Sequence, residues 1–225
     1  MKALVYTGLK TLEYRDVPNP DLKDDENLIS IRSVGICGSD MHAFLGHDDR
    51  RPAPLILGHE AAGDVIEGPL KGTRVTINPL VTCQKCKECK SNRSNLCGKR
   101  QIISMQPREG AFAEMVAMPS RNLVVVPDNI SFNDAALTEP LAVCWHAVRL
   151  GINALDTEIQ TANTLVIGGG AIGLGSALSL MAKGVKKIKI AEPNAKRRAF
   201  LRKLREKIIN KREFLLKDSL ERKPG

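Results

Sequence analysis

A glycine-rich turn at Gly168, Gly170 and Gly173 is the feature that most limits the folds open to this chain, because it lies directly between the apolar Thr164-Leu165-Val166-Ile167 and a helical stretch, Ala171–Lys183. Gly-x-Gly-x-x-Gly in that context marks a βαβ unit: the first glycine makes the turn, the second lets backbone approach a pyrophosphate, and the third lets the helix pack closely. The helix N-terminus adds a favourable field for phosphate. With Ala171 and Ile172, these glycines form a candidate dinucleotide cradle. Glu192 ends the next apolar run, Lys186–Ala191, where a carboxylate accepts hydrogen bonds from ribose hydroxyls and repels a 2′-phosphate, which favours NAD over NADP. Arg197 and Arg198 weaken that preference if they face the cofactor and leave it intact if they are solvated on the charged helix Asn194–Leu204; Arg197 is retained as a cofactor candidate.

The rest of the chain has two textures. Lys2–Tyr6, Leu28–Val34, Ala61–Glu67, Thr73–Ile77 and Phe112–Ala117 are β-branched or alternating and are separated by Gly, Pro, Asn and Asp, the pattern of a β-rich domain. Thr138-Glu139-Pro140 then reads as a helix start with Pro in the first turn, continuing over Leu141–Leu150 to a stop at Gly151. Beyond it come the strand at 164–167, taken as buried, the helix 171–183, the strand 186–191, the helix 194–204 and a short third strand at Lys207-Ile208-Ile209-Asn210. The expected organisation is a β domain over residues 1–139 and a partial α/β domain over residues 140–225.

Four of the six cysteines lie in one loop as Cys83-x-x-Cys86-x-x-Cys89, with Cys97 eight residues on. Such spacing lets the sulfurs face a common point about 2.3 Å away, as tetrahedral zinc requires. Lys85, Lys87, Lys90 and Arg93 would offset the charge of a four-thiolate centre. With every position filled by protein the site is structural; two disulfides or an iron–sulfur cluster are the competing readings.

A second constellation is spread through the chain. Gly35-Ile36-Cys37-Gly38-Ser39-Asp40-Met41-His42 sets a thiol, a hydroxyl and an imidazole within eight residues, and Gly58-His59-Glu60 follows downstream. Taken singly, a cysteine or histidine is more often a packed residue than a ligand. Together, Cys37, His59 and a carboxylate from Glu60 or Glu139 supply three protein ligands and leave a position open, the pattern of catalytic zinc. Cys144 lies five residues beyond Glu139 and roughly 140° around the helix, so the two cannot share a target; Cys144 and Trp145 read as packing.

The formal net charge is +9, but residues 183–225 carry sixteen Lys/Arg against five Asp/Glu, while residues 1–182 carry eighteen against twenty. The excess is a solvated basic tail with only two aromatics, Phe200 and Phe214, so no nucleic-acid partner is expected. No signal-like start and no run of about eighteen apolar residues occurs, so no membrane span is expected and the chain reads as cytoplasmic.

The combination of Gly35-Ile36-Cys37-Gly38-Ser39-Asp40, Gly58-His59-Glu60-Ala61-Ala62-Gly63, the four-cysteine lobe, Glu139-Pro140-Leu141-Ala142 and the dinucleotide loop resembles zinc-dependent medium-chain alcohol dehydrogenases, particularly the sorbitol and L-idonate (polyol) branch. The resemblance runs from Met1 to about Asn210. It implies an α+β two-domain fold: a GroES-like β-barrel domain with one catalytic and one structural zinc, then a partial Rossmann α/β domain that binds NAD, with the active site between them. It also implies catalytic-zinc ligation by Cys37 and His59, supported by Glu60 or Glu139, and a proton path through Ser39 and His42; the bland alternative for the last two is turn-capping and surface polarity. The expected reaction takes a secondary alcohol of a polyol or sugar-acid-like substrate to a ketone, and full-length relatives are expected to be homo-oligomers. The family continues well beyond residue 225, so the chain reads as C-terminally truncated, and a catalytically silent zinc-binding fragment serving as a binding or assembly partner is the alternative from another functional class. A reductase of this fold without catalytic zinc is disfavoured by Cys37, His59 and Glu60 together. The loop Phe44–Arg51 is expected to border the substrate and to present its charges to a hydroxylated or acidic sugar.

Overall fold

A computed structural model describes residues 1–156, 158–208 and 214–217. The chain divides into two compact units, Met1–Glu139 and Pro140–Gly225.

The first unit is built on antiparallel sheets. Strands β1 (Lys2–Gly8), β2 (Thr11–Asp16) and β4 (Leu55–Ile56) form one sheet in the order β2-β1-β4. Strands β3 (Glu26–Gly35), β5 (Glu60–Glu67), β6 (Arg74–Ile77), β9 (Met115–Pro119) and β10 (Leu123–Val125) form a second in the order β10-β6-β5-β3-β9. A two-stranded ribbon, β7 (Leu80–Val81) with β8 (Gln101–Ile102), closes the base of the cysteine loop. Apolar residues on one face of the five-stranded sheet, among them Ile29, Val65, Val75, Ile77, Val116 and Met118, bury one another as period-two alternation requires. The strand expected at Phe112–Ala117 begins later, at Met115. Its first residues are taken by other partners: Phe112 N–H donates to Leu57 O at 2.9 Å and Phe112 O accepts from Leu4 N–H at 2.8 Å.

Three features of this unit place the site. Gly35, the last residue of β3, pairs with Glu60, the first of β5. Helix α1 (Gly38–Phe44) starts immediately after Cys37, its N-cap. The short helix α2 (Lys87–Lys90) lies inside the cysteine loop, and α3 (Phe132–Ala136) precedes α4 (Thr138–Asn153).

The second unit contains a parallel sheet, β11 (Asn163–Ile167), β12 (Lys187–Ala191) and β13 (Phe214–Lys217), in the order β11-β12-β13, with helices α5 (Ala171–Ala182) and α6 (Ala195–Ile208). Its core gathers Val148, Ala177, Leu180, Val185, Ile188, Ile190 and Leu201. Three expectations need correction. Helix α4 does not stop at Gly151 but runs to Asn153, since an interior glycine costs only about 1 kcal/mol and Ile152 packs on this core. The third strand is not at Lys207–Asn210: Lys207 and Ile208 end α6, residues 209 and 210 lie outside the described residues, and the strand is Phe214–Lys217. Leu201, Leu204 and Ile208 recur at helical spacing, which explains the longer helix. Finally, β11 is not buried on both faces, because Ile167 is 73% exposed and Leu165 43%; among the described residues it pairs only with β12.

Ile29 is fully buried in the centre of the five-stranded sheet, whereas Ile66 on the neighbouring strand is 41% exposed. Ile29→Ala is expected to destabilise the first unit by about 2–5 kcal/mol and Ile66→Ala by less than about 1 kcal/mol, compared by chemical denaturation of the two variants.

Candidate metal and dinucleotide sites

The cysteine loop holds its four sulfurs at the spacing of a single ion. Cys83 and Cys89 Sγ atoms are 4.0 Å apart, Cys86 and Cys89 3.5 Å, and Cys83 and Cys97 3.6 Å. A zinc–sulfur distance of about 2.3 Å gives a tetrahedral edge of about 3.8 Å, so the donor set fits zinc, and the sulfurs stand well outside the disulfide length of about 2.0 Å. The electrostatics point the same way. Backbone N–H groups of Lys85 and Cys86 pull the Cys83 thiol down to about 6. Cys86 is pushed up to about 12 in spite of a Cys89 N–H that lowers it, through burial and the neighbouring sulfurs of Cys89 and Cys83. One thiolate forms easily and then suppresses the next, so joint ionisation calls for a cation among them.

The second cluster is assembled by strand register. Pairing of Gly35 with Glu60 brings the end of β3 beside the start of β5, so Cys37, two residues on, and His59, one residue back, converge. Ligand atoms of Cys37, His59 and Glu60 lie within 4.8 Å of one another. Gly35 leaves the room for this: a Cβ there would sit 2.3 Å from Glu60 Oε2. One thiol, one imidazole and one carboxylate match the three-protein-ligand pattern that leaves zinc an open position. Glu139 does not join that set of three. It is close enough for Glu60, Asp40 and His59 to act on it electrostatically, and burial, with the Glu60 and Asp40 carboxylates, raises its pKa against the opposing pull of His59.

Asp40 is the residue that sequence reading passed over as a site member. Nearly fully buried, it accepts a hydrogen bond from Cys37 N–H at 2.9 Å and another from Gly58 N–H at 3.1 Å, and its Oδ1 lies 3.8 Å from His59 Nδ1. One carboxylate therefore fixes the backbones that carry both the cysteine and the histidine. Its position, three residues after the N-cap of α1, is the signal available in the sequence, since an acid at N3 reaches back to the N-cap amide. Ser104, with Arg51 behind it, was also missed: Ser104 Oγ is 3.4 Å from His59 Nδ1.

Ser39 occupies the first turn of α1, and its Oγ is buried without a hydrogen-bond partner among the described residues. His42, three residues on, lies on the same side of the helix. Both line a recess of about 460 Å³ with His47, Asp48, Asp49 and Arg50. Of the charges of this loop, the Asp48 and Arg51 side chains are turned inward and Arg50 stays 70% exposed. Arg50 donates to Asp48 at 2.8 and 3.0 Å, and Arg51 is buried against the same carboxylate. Arg51 is thus committed to Asp48 and to Ser104 O, whereas Arg50, though paired with Asp48, still faces solvent.

In the second unit Gly168 has φ +99° and Gly173 a virtual Cβ only 1.9 Å from Gly168 O, so the turn and the helix contact both require glycine. At Gly168 a Cβ would meet nothing within 4 Å, and at Gly170 only Arg197 Nη1 at 4.0 Å. The loop leaves the open cradle that a pyrophosphate needs before the N-terminus of α5, where Ala171 and Ile172 begin the helix. Glu192 is buried, accepting from Asn194 N–H at 2.8 Å and Gly169 N–H at 2.7 Å. These backbone donors, first Asn194 and then Gly169, hold its carboxyl below the usual range. Arg197 stays largely exposed, with Nη1 3.8 Å from Glu192, and Arg198 donates to the carbonyls of Glu192 and Pro193 at 2.8 and 2.6 Å. Cys144 is buried in this unit, 2.7 Å from where a Cβ would stand on Gly175, a packing position. Trp145 is less enclosed than expected, with Lys183 Nζ 4.1 Å over its ring.

Asp40→Ala leaves the amides of Cys37 and Gly58 without their acceptor. A loss of about 2–4 kcal/mol is expected, together with weaker metal retention at Cys37 and His59, read by denaturant titration alongside metal analysis.

Known proteins share the fold of this chain. Residues 23–128 match the alcohol dehydrogenase GroES-like domain. The chain is 34% identical to sorbitol dehydrogenase of Bacillus subtilis over 98% of its own length and 63% of that protein's, and 38% identical to L-galactonate-5-dehydrogenase of Escherichia coli over 82% and 53%. The crystal structure of galactitol-1-phosphate dehydrogenase from Escherichia coli superposes with a TM-score of 0.83 at 26% identity, covering 96% of this chain and 61% of that one. The chain spans about 60% of the length of such relatives. Among the described residues no helix is long and apolar enough to cross a membrane. The chain thus carries an alcohol dehydrogenase GroES-like domain followed by Rossmann-type α/β elements, and is similar to zinc-type medium-chain alcohol and polyol dehydrogenases over about three fifths of their length.

Proposed function

We propose that this chain takes part in the NAD-dependent oxidation of a secondary alcohol, on a polyol or sugar-acid-like substrate, to a ketone. The observation that carries the reading is the convergence of Cys37, His59 and Glu60 beside an α1 helix that presents Ser39 with an unused hydroxyl. Cys37, His59 and Glu60 hold the catalytic zinc in this reading, with Glu139 as a nearby carboxylate outside the first three, and Cys83, Cys86, Cys89 and Cys97 hold the structural one. Zinc at the first site supplies Lewis acidity, of the kind that lowers the pKa of water from about 15.7 to about 7, and NAD supplies the hydride acceptor.

The protein's own groups do the remaining work. Ser39 Oγ takes up the alcohol proton as its own hydroxyl proton passes to His42, an exposed residue one turn on, which releases it to solvent. Gly168, Gly170 and Gly173 with the first residues of α5, Ala171 and Ile172, seat the pyrophosphate. Glu192 keeps its charge and has lone pairs left for ribose hydroxyls, since each backbone N–H uses only one; that charge opposes a 2′-phosphate. Arg197, paired with Glu192 and otherwise open to solvent, borders the adenosine side. The names of relatives, sorbitol dehydrogenase and L-idonate 5-dehydrogenase among them, support the polyol class. Six free cysteines suit the reducing cytoplasm as its place of action.

Metal analysis of the purified chain is expected to give two zinc ions, with Cys83→Ser and Cys86→Ser removing one and leaving the other. A polyol panel with absorbance detection of NADH is expected to show turnover abolished by chelation, and Ser39→Ala is expected to lower kcat by about 10²-fold or more. Folded, zinc-loaded protein with neither NAD binding nor turnover would overturn the enzyme reading for this chain. Glu192→Ala should move the NADP-to-NAD preference by about tenfold or more, the effect of losing roughly 1.4 kcal/mol of repulsion, as measured by competitive cofactor binding.

A further inference from the structure

Behind His59 the structure carries a polar chain that the proposed reaction does not use. His59 Nδ1 has two oxygens near it. Asp40 Oδ1, at 3.8 Å, is beyond hydrogen-bond distance and accepts from Gly58 N–H instead. Ser104 Oγ, at 3.4 Å, is the nearer. Ser104 is completely buried and has φ +62°, a left-handed backbone that costs a residue with a Cβ about 1–2 kcal/mol. Buried strain of this kind persists only where surrounding contacts impose it. The buried side-chain contact on this backbone is from Arg51, whose Nε donates to Ser104 O at 3.0 Å. Arg51 is itself only 6% exposed and is paired with the equally buried Asp48 carboxylate.

The geometry points to Asp48, Arg51 and Ser104 as a positioning chain for His59, in which Arg51 holds Ser104 in its left-handed turn so that Ser104 Oγ accepts the Nδ1–H and leaves the Nε2 lone pair for the metal. The inference rests on reading Cys37, His59 and Glu60 as a zinc site. A histidine ligand whose second nitrogen is fixed by a hydrogen bond keeps one tautomer and one ring orientation, and loss of such a partner commonly costs about 10–100-fold in metal affinity. The chain also gives the loop after α1 a purpose. Arg51 and Asp48 are drawn inward, while Arg50 stays 70% exposed, because Arg51 reaches a residue more than fifty positions away, beside His59.

The left-handed backbone of Ser104 supplies a test that separates positioning from folding. Ser104→Gly removes the hydroxyl and also relieves the backbone, so Tm of the metal-free chain should stay level or rise. In the full 225-residue chain, zinc affinity at Cys37, His59 and Glu60, measured by competition with a chromophoric chelator, should fall about 10–100-fold. The four-cysteine zinc is the internal control and should be unaffected. The cobalt-substituted variant should show altered visible d–d bands at the Cys37 site. Arg51→Met, which keeps an apolar stem and removes the guanidinium, should lower the same affinity in the same direction. If Ser104→Gly binds two zinc ions with wild-type affinities and an unchanged cobalt spectrum, the positioning chain is overturned while the zinc-site reading stands. If the wild-type chain binds metal only in the four-cysteine lobe, both are overturned.

Discussion

The carboxylate of Asp40 is the constraint on which the first site depends. Two backbone amides, from Cys37 and from Gly58, converge on it in a nearly water-free position. Each belongs to a segment that leaves or enters the five-stranded sheet, and neither segment has a regular strand partner at that point. Without a shared acceptor, both buried donors would go unsatisfied, at about 1–3 kcal/mol each. The bond to Cys37 N–H also caps α1, so the same interaction that anchors the thiol starts the helix carrying Ser39 and His42.

The two candidate metal sites of the first unit are built by different physics. In the cysteine lobe, short spacings around the small helix α2 bring the sulfurs within 4.8 Å of one another, and the β7–β8 ribbon only has to close the base. Mutual repulsion of thiolates then makes a cation the natural occupant. At Cys37, His59 and Glu60 nothing local suffices. The antiparallel register of β3 and β5 decides which residues meet, and a slip of one residue would turn Glu60 to the other face of its strand.

The second unit shows an economy of a different sort. Glu192 satisfies the amides of Gly169 and Asn194, so one carboxylate both stabilises the glycine loop and sets its electrostatic character. Close packing of Gly173 on Gly168 brings α5 down onto the turn while the space over Gly170 stays open. Arg197 and Arg198, whose roles the sequence left in balance, are engaged with Glu192 and its neighbouring carbonyls.

Much of this was legible in the sequence, because the informative signals are short-range. Cysteine spacing, the strand-glycine-helix order at 164–183 and the period-two alternation of β3 and β5 each report on neighbours a few residues apart, where backbone geometry leaves few choices. The errors fell where local pattern competes with context: Gly151 was absorbed into α4 by core packing, and the stretch at Lys207 continued a helical stripe. What only the tertiary structure decided are the long-range polar contacts. Nothing in the sequence separates Glu60 from Glu139 as the carboxylate nearest Cys37 and His59, since that choice is made by the Gly35–Glu60 pairing. Nor does it show that Arg51 reaches Ser104 behind His59, because a side-chain hydrogen bond across more than fifty residues exists only once the sheets have closed and water has been excluded from between them.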